Sequence, residues 1–516
     1  MQVGINFGAH LRKRAELGGS LEGLVDVIEG RRFTYAELDD RADRLARALA
    51  HLGVNKGDRV AALLPNNYRY ADIYYGPTRS GIIIVPLNTR LAIEEVAYIL
   101  RDSGSVALIY SDDHADLVAA LHVRTGANAL PVKHWINVGN KGVPGALRYD
   151  DLIDKTAAGQ VAIEACDDDP LFIMYTSGTT GYPKGTVQTH RSYEWAMLTV
   201  IMATDMRYRD RYLVSMPLFH VAAFGNMATT FYRGGTVVLM QKFDAAETWR
   251  LLRDERINIT LAVPTMLQQL LATYDPERHK PLALRWFLTG AQPVPVSMIK
   301  AIEGLGFQIV QAYGLTEAGG VASVLSPEDA MIKVGSIGKS FYHTELRVVD
   351  VEGRDCAPDE PGELVVISNH CMRDYWNQPE ATREAFRGGV LHTSDVGVRD
   401  IDGFFYIRDR LKDMIISGGE NIYPAEIETV LHTHPGIADV AVVGVPSARW
   451  GETPLAIVVK KNAALTDQDV LGFCDGKLAR FKQPKAVRFI DLIPRNASGK
   501  PLKHVLRKQF ADAGGS

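Results

Sequence analysis

The chain has 516 residues, of which 46% are hydrophobic and 23% charged. That much apolar material excludes disordered, collagen-like and coiled-coil classes, and at ~150 residues per domain it can form several compact units. Lys and Arg number 57 against 61 Asp and Glu, a formal charge of −4, so no basic excess marks a dedicated nucleic-acid binder.

Residues 1–19 carry Arg12, Lys13 and Arg14 with no apolar segment after them, so no secretory signal is expected. Residues 35–52 show apolar side chains at helical spacing, and 59–64 (RVAALL) and 105–110 (SVALIY) read as buried strands. The apolar run at 81–87 is far shorter than the ~20 residues of a membrane span. A strand at 171–175 (LFIMY) and a helix at 246–255 continue the alternation, which implies α/β units with mainly parallel sheets. After about residue 340 the pattern changes to short β-rich runs at 345–351, 362–367 and 403–407. A helix at 424–431, strands at 439–445 and 455–460 and a helix at 467–478 follow.

The expected fold is α/β: a large N-terminal domain with a β-rich subdomain, then a small mobile α+β C-terminal domain. The charged segment RDRLKD at 408–413 is either a solvated loop or a hinge between them. The hinge reading gives domains 1–409 and 413–516, with 410–412 as the pivot. Cys166, Cys356, Cys371 and Cys474 are far apart and form no C-x-x-C pair. A disulfide framework or zinc site is therefore not expected, and a cytoplasmic location is.

The strand at 171–175 runs directly into TSGTTGYPKG at 176–185. Three glycines, four hydroxyls and one lysine in ten residues have the chemistry of an anion cradle. It is not the P-loop of nucleotide triphosphatases, because Lys184 precedes Gly185 and follows Pro183. GSIGKS at 335–340 ends like a P-loop, but its first glycine should stand where Lys333 is, so it reads as a turn.

Residues 175–185 resemble the phosphate-binding signature of the adenylate-forming superfamily, and the resemblance covers nearly the whole chain. It recurs in order at AYGLTE (312–317), HTSD (392–395), DRLKD (409–413), ISGGENIYPAEIE (416–428) and PRNASGK (494–500). The stretch 409–428 is most similar to bacterial long-chain fatty-acyl-CoA ligases of the mycobacterial type.

The resemblance implies two half-reactions. A carboxylate attacks the α-phosphate of ATP, and coenzyme A then takes the acyl group from the acyl-adenylate. It implies that Thr176, Ser177, Gly178, Thr179, Thr180, Gly181 and Lys184 hold the phosphates, with Thr176 and Glu317 as Mg2+ contacts. Gly290, Ala291, Gln292, Tyr313, Gly314 and Thr316 face the nucleotide, and Asp395 with Arg410 binds the ribose. Lys500 matches the catalytic lysine, and Lys412 the hinge position. Ser417, Gly418, Gly419 and Trp450 line the coenzyme A path, with Arg90, Phe481, Lys482 and Lys485 as further phosphate contacts. Taken alone, each charged residue would read as an ordinary surface group; the joint pattern overturns that reading.

His220, in the apolar stretch 217–224, stands where amino-acid adenylation domains place an Asp, which disfavours an amino-acid substrate. It is a candidate catalytic residue at the acyl tunnel, the alternative being a packed histidine. Val221, Phe224 and Ala291 are expected to line the pocket. The expected acid is a medium- or long-chain fatty acid. The alternatives are an aryl acid, or transfer of the acyl group to a carrier protein. The three arginines of 207–211 form either a solvated loop or a weak peripheral membrane contact, and a homo-oligomer is compatible with the sequence. Three departures from the family stand out: Ser394 and Asp409 each replace a common glycine, and Val390 replaces a common Trp.

Overall fold

The computed structural model describes residues 4–176, 183–279, 283–290, 294–411, 413–417, 420–447, 450–480, 482–495 and 501–511. The chain forms two compact units: Met1–Leu346 with Val366–Leu391, and Arg347–Val365 with His392–Ser516. The β-rich segment thus groups mostly with the C-terminal part.

The first unit contains two large sheets. The nine-stranded sheet is built on parallel pairing of Glu22–Asp26, Thr236–Leu239, Arg211–Val214, Ile259–Leu261, Trp286–Gly290 and Gln308–Tyr313. The eight-stranded sheet pairs Arg59–Leu63, Ile83–Pro86, Ala107–Ser111 and His134–Val138 in parallel. One of its edges is an antiparallel hairpin of Pro170–Thr176 and Lys184–Thr189, flanked by Asp374–Tyr375.

Local chemistry sets the helices that cover these sheets. Tyr35–His51 starts at a capping box in which Thr34 Oγ1 accepts from Glu37 N–H and Glu37 Oε2 from Thr34 N–H. It buries Leu38, Ala42, Leu45 and Leu49 along one stripe. Those residues share a single apolar cluster with Ile84 and Phe172 of one sheet and Val214 and Val237 of the other.

In the second unit, the strand Ile437–Ser447 is buried on both faces. Val440 and Val442 pack with Ile427 and Leu431, whereas Ala441, Val443 and Val445 pack with Leu455 and Leu506. This explains its continuous apolar run, VAVVGV at 440–445.

The expected elements occur with shifted ends. The helix at 467–478 stops at Phe473, because Gly476 adopts φ +71° and the backbone turns there. The strand placed at 403–407 is Phe405–Arg410, since Gly403 (φ +86°) is the preceding turn. Residues 335–340 are a turn leading into the edge strand Lys339–Ser340. Among the described residues no helix is long and apolar enough to cross a membrane. The four cysteines are free.

Candidate active site

Gly290, Tyr313, Gly314, Thr316 and Glu317 lie at the carboxyl ends of the adjacent parallel strands Trp286–Gly290 and Gln308–Tyr313, or just beyond them. Ligands of open α/β sheets bind at that edge. Gly314 has no room for a side chain: a Cβ there would sit 2.2 Å from Gly320 O. The loop after Tyr313 is thereby folded back on itself, and a one-turn helix, Thr316–Ala318, carries Glu317.

The other sheet supplies the hairpin. Thr176 and Lys184 are register partners where its two strands meet the connecting loop. Ser177, Gly178, Thr179, Thr180 and Gly181 of that loop lie outside the described residues, as do Ala291, Gln292, Lys412, Gly418, Gly419, Phe481 and Lys500. The two sheets are tied at this point. Gln188 Nε2 donates to Thr316 O at 3.3 Å, and Tyr375 Oη donates to Glu317 Oε1 at 2.9 Å. The Lys184 ammonium lies 5.0 Å from the centroid of the same Tyr375 ring.

The hairpin base is braced from one side. Tyr175 Oη donates to Asp102 Oδ2 at 2.5 Å, and Asp102 O accepts from Trp376 Nε1 and Asn377 Nδ2, each at 3.1 Å. Burial pushes the Asp102 carboxyl above its ordinary value, and the Tyr175 hydrogen bond only partly offsets it.

Thr176 and Glu317 fit a magnesium ion by donor chemistry, one hydroxyl and one carboxylate, both hard oxygens. Glu317 is half-buried, and its Oε2 carries no hydrogen bond among the described residues. No group of three or more His, Cys, Asp and Glu that could cage a metal occurs among the described residues. That agrees with an ion held by one or two protein oxygens plus substrate phosphates.

His220 precedes helix Val221–Arg233. Its Nε2 is buried and has no hydrogen-bond partner among the described residues. Burial, helped by Arg90, lowers its pKa to about 4, so the ring is neutral at pH 7. Val221 contacts the loop after Tyr313: a Cβ on Gly320 would meet its side chain at 3.3 Å. Phe224 packs within the aromatic core of the first unit. It is fully buried, with ring centroids 3.9 Å from Tyr74 and 5.0 Å from Tyr193. It faces inward because it lies on the buried stripe of the helix with Met227, Ala228 and Phe231.

In the second unit, Asp395 and Arg410 are cross-strand partners and form an ion pair. Asp395 is buried, and its N–H donates to Thr393 Oγ1 at 3.0 Å. The preceding Ser394 adopts φ +59°, a left-handed conformation that explains why relatives place glycine there. In the segment 408–413 Arg408 and Leu411 are exposed, but the two aspartates are not. Asp409 and Asp413 are each only 6% exposed. Asp409 Oδ2 accepts from Ala425 N–H at 2.9 Å, and Asp413 pairs with Arg507.

Ser417 pairs with Gly451, which follows Trp450 directly, so two expected coenzyme A contacts share one end of a sheet. Trp450 is exposed. Lys482 is engaged by Glu426 at 2.6 Å, and Lys485 Nζ donates to Arg480 O at 3.0 Å. Two of the three arginines at 207–211 are neutralised locally: Arg207 pairs with Asp205, and Arg211 with Glu22 and Glu255.

The model of the AMP-binding enzyme family matches residues 12–376, and that of the AMP-binding enzyme C-terminal domain matches 426–500. The chain belongs to the AMP-binding enzyme family. It is 42% identical to a long-chain-fatty-acid–CoA ligase of Mycobacterium tuberculosis over 98% of this chain and 99% of that one. It is 40% identical to a feruloyl-CoA synthase of Amycolatopsis over 93% and 94% of the two chains. The crystal structure of o-succinylbenzoate coenzyme A synthetase from Bacillus subtilis, in complex with ATP and magnesium ion, superposes with a TM-score of 0.86. It is 33% identical, over 96% of this chain and 99% of that one. The resemblance drawn from the motifs therefore extends over the whole AMP-binding enzyme, as does the expected α/β fold.

Two functional candidates, Tyr375 and Asp102, were not legible in the sequence. Tyr375 sits on a two-residue strand with no periodicity, and Asp102 at the end of an ordinary amphipathic helix.

Proposed function

We propose that this family member activates a medium- or long-chain fatty acid. It is an AMP-forming acid–CoA ligase that consumes ATP and coenzyme A and uses Mg2+. A fatty carboxylic acid, with a pKa of ~4–5, is already ionised at pH 7, so the first step needs no general base. The obstacle is one anion approaching a polyanion, which places catalysis in positioning and positive potential.

The acid's carboxylate oxygen attacks the α-phosphorus, and pyrophosphate leaves. Lys184 and the loop at its side hold the leaving phosphates, and Lys500 bridges carboxylate and α-phosphate. Thr176 and Glu317 hold the ion, whose chemistry is to neutralise phosphate charge. Tyr313 stacks on adenine, with Gly290, Gly314 and Thr316 around it, and Asp395 with Arg410 takes the ribose. The coenzyme A thiolate then attacks the acyl carbonyl carbon and AMP leaves. Rotation about 410–412 replaces Lys500 by Ser417, Gly418 and Gly419, with Trp450 stacking on the incoming cofactor. His220, neutral at pH 7, acts at the acyl entrance as a hydrogen-bonding group and not as a cation.

The observation that carries the fatty-acid reading is the near full-length similarity to the mycobacterial ligase. An aryl acid is the second reading, favoured by the similarity to feruloyl-CoA synthase. Pyrophosphate release across fatty, aryl and short-chain acids, with and without coenzyme A, separates them. The highest kcat/KM on a C12–C18 acid supports the first reading, and on a cinnamate the second. The same enzyme presented with salt-titrated anionic vesicles tests peripheral membrane contact, and sedimentation tests a homo-oligomer.

A further inference from the structure

We propose that Tyr375 is a positioning residue for the metal–phosphate site, setting the Glu317 carboxylate through its hydroxyl and the Lys184 ammonium through its ring. This rests on the reading of Glu317 as the metal contact. Three features of the structure carry it.

First, the register fixes Tyr375 beside both groups. The strand Asp374–Tyr375 pairs antiparallel with Lys184–Thr189, and Tyr375 lies opposite Thr186. Lys184 is two residues along that strand, on the same face, at the diagonal distance an aromatic ring spans. Second, among the described residues the hydroxyl donates to one oxygen of the Glu317 carboxylate, Oε1, at 2.9 Å. A carboxylate held by one oxygen presents the other in a fixed direction, as hydrogen-bonded metal ligands commonly do. Third, Tyr375 is itself locked. Its N–H donates to Thr382 Oγ1 at 2.9 Å, and the chain is tied down three residues before it and one after. Met372 N–H donates to Glu317 O at 2.6 Å, and Trp376 N–H to Gly185 O at 2.7 Å.

One side chain thus touches both an anion and a cation, the Glu317 carboxylate and the Lys184 ammonium. With the Tyr375 ring against Lys184 and its hydroxyl on Glu317, neither charge needs the other as its partner. Both stay available to a bound metal–nucleotide.

The test uses the full-length enzyme without an acid substrate, with Mn2+ as the metal and α,β-methylene-ATP as the nucleotide. Mn2+ affinity is read by electron paramagnetic resonance and nucleotide affinity by calorimetry. Tyr375→Phe should weaken Mn2+ binding about 10-fold while nucleotide affinity at saturating Mn2+ changes little. Tyr375→Leu, which also removes the ring, should weaken both. Glu317→Gln should weaken Mn2+ binding, and adding Tyr375→Phe to it should cost nothing further. Wild-type Mn2+ affinity in Tyr375→Phe, with Glu317→Gln impaired, overturns the role of Tyr375 and leaves the reading of Glu317 standing. Wild-type Mn2+ affinity in Glu317→Gln overturns both. Additive losses in the double variant would show that Tyr375 acts through general packing, which also overturns the proposal.

Discussion

Tyr175 Oη donates to the half-buried carboxylate of Asp102 at 2.5 Å, joining the last turn of a helix to the base of the hairpin of Pro170–Thr176 and Lys184–Thr189. Tyr175 directly precedes Thr176, so this bond fixes where the loop leaves the sheet. Tyr175→Phe removes the donor and leaves a carboxylate that burial already disfavours. The expected loss is about 1–3 kcal/mol of stability, together with a raised KM for ATP. Thermal melts and steady-state kinetics check both parts, and an unchanged melting temperature would contradict the brace.

Ser394 should tolerate glycine better than it tolerates serine itself. Its φ of +59° is unfavourable for any residue with a Cβ. Ser394→Gly is expected to stabilise by up to about 1 kcal/mol, and Ser394→Val to destabilise by more than that. Because Asp395 is the next residue, the valine variant should also bind ATP more weakly. Denaturant titration and nucleotide binding decide the matter; a stabilised valine variant is the opposing result.

Acid should unfold this protein through its buried histidines. Burial lowers His190, His220 and His370 to about 4. His190 Nδ1 accepts the Phe7 N–H at 3.0 Å, so a proton there would meet another donor. Between the unfolded value near 6.5 and about pH 4, the unfolded chain binds more protons than the folded one. Stability therefore falls as pH drops through that window and is flat above it on this account. The three histidines should together contribute up to about three protons to the slope of unfolding free energy against pH, offset in part by buried carboxylates such as Asp102 and Asp409, and His190→Gln should remove about one.

Asp409 is buried with two partners from later in the chain, the Ala425 N–H and the charge of Lys503. Lys503 is held in turn by Glu428 at 2.8 Å, and Asp409 and Glu428 together raise its pKa against burial. Asp409→Ala leaves a buried ammonium with one counter-ion fewer. The expected cost is about 3 kcal/mol, seen in chemical denaturation. Asp409→Gly, the residue common in relatives, should cost a similar amount here, since Lys503 and Glu428 remain.

Lys500→Ala should cut adenylation by about 10²–10³-fold or more, as for one lost transition-state donor. Thioester formation from supplied acyl-adenylate should fall much less. Pyrophosphate release and single-turnover thiol capture measure the two halves separately, and equal losses would remove Lys500 from the first half.

The sequence by itself determined the chemistry. A run of glycines, hydroxyls and one lysine after a strand has the donor chemistry of an anion cradle, and apolar periods of two and 3.6 set the strands and helices. Even the two-faced burial of 440–445 could be read from its unbroken apolar run. Only the tertiary structure decided which charges meet. Tyr375 lies 58 residues from Glu317, and Tyr175 lies 73 from Asp102. No local pattern records such pairs, because they depend on which strands become neighbours in a sheet. The same holds for Asp409 and Asp413: composition gave them to solvent, and packing against Ala425 and Arg507 buried them. Local sequence fixes the period and the donor types, whereas the burial of a polar group depends on partners that only chain topology delivers.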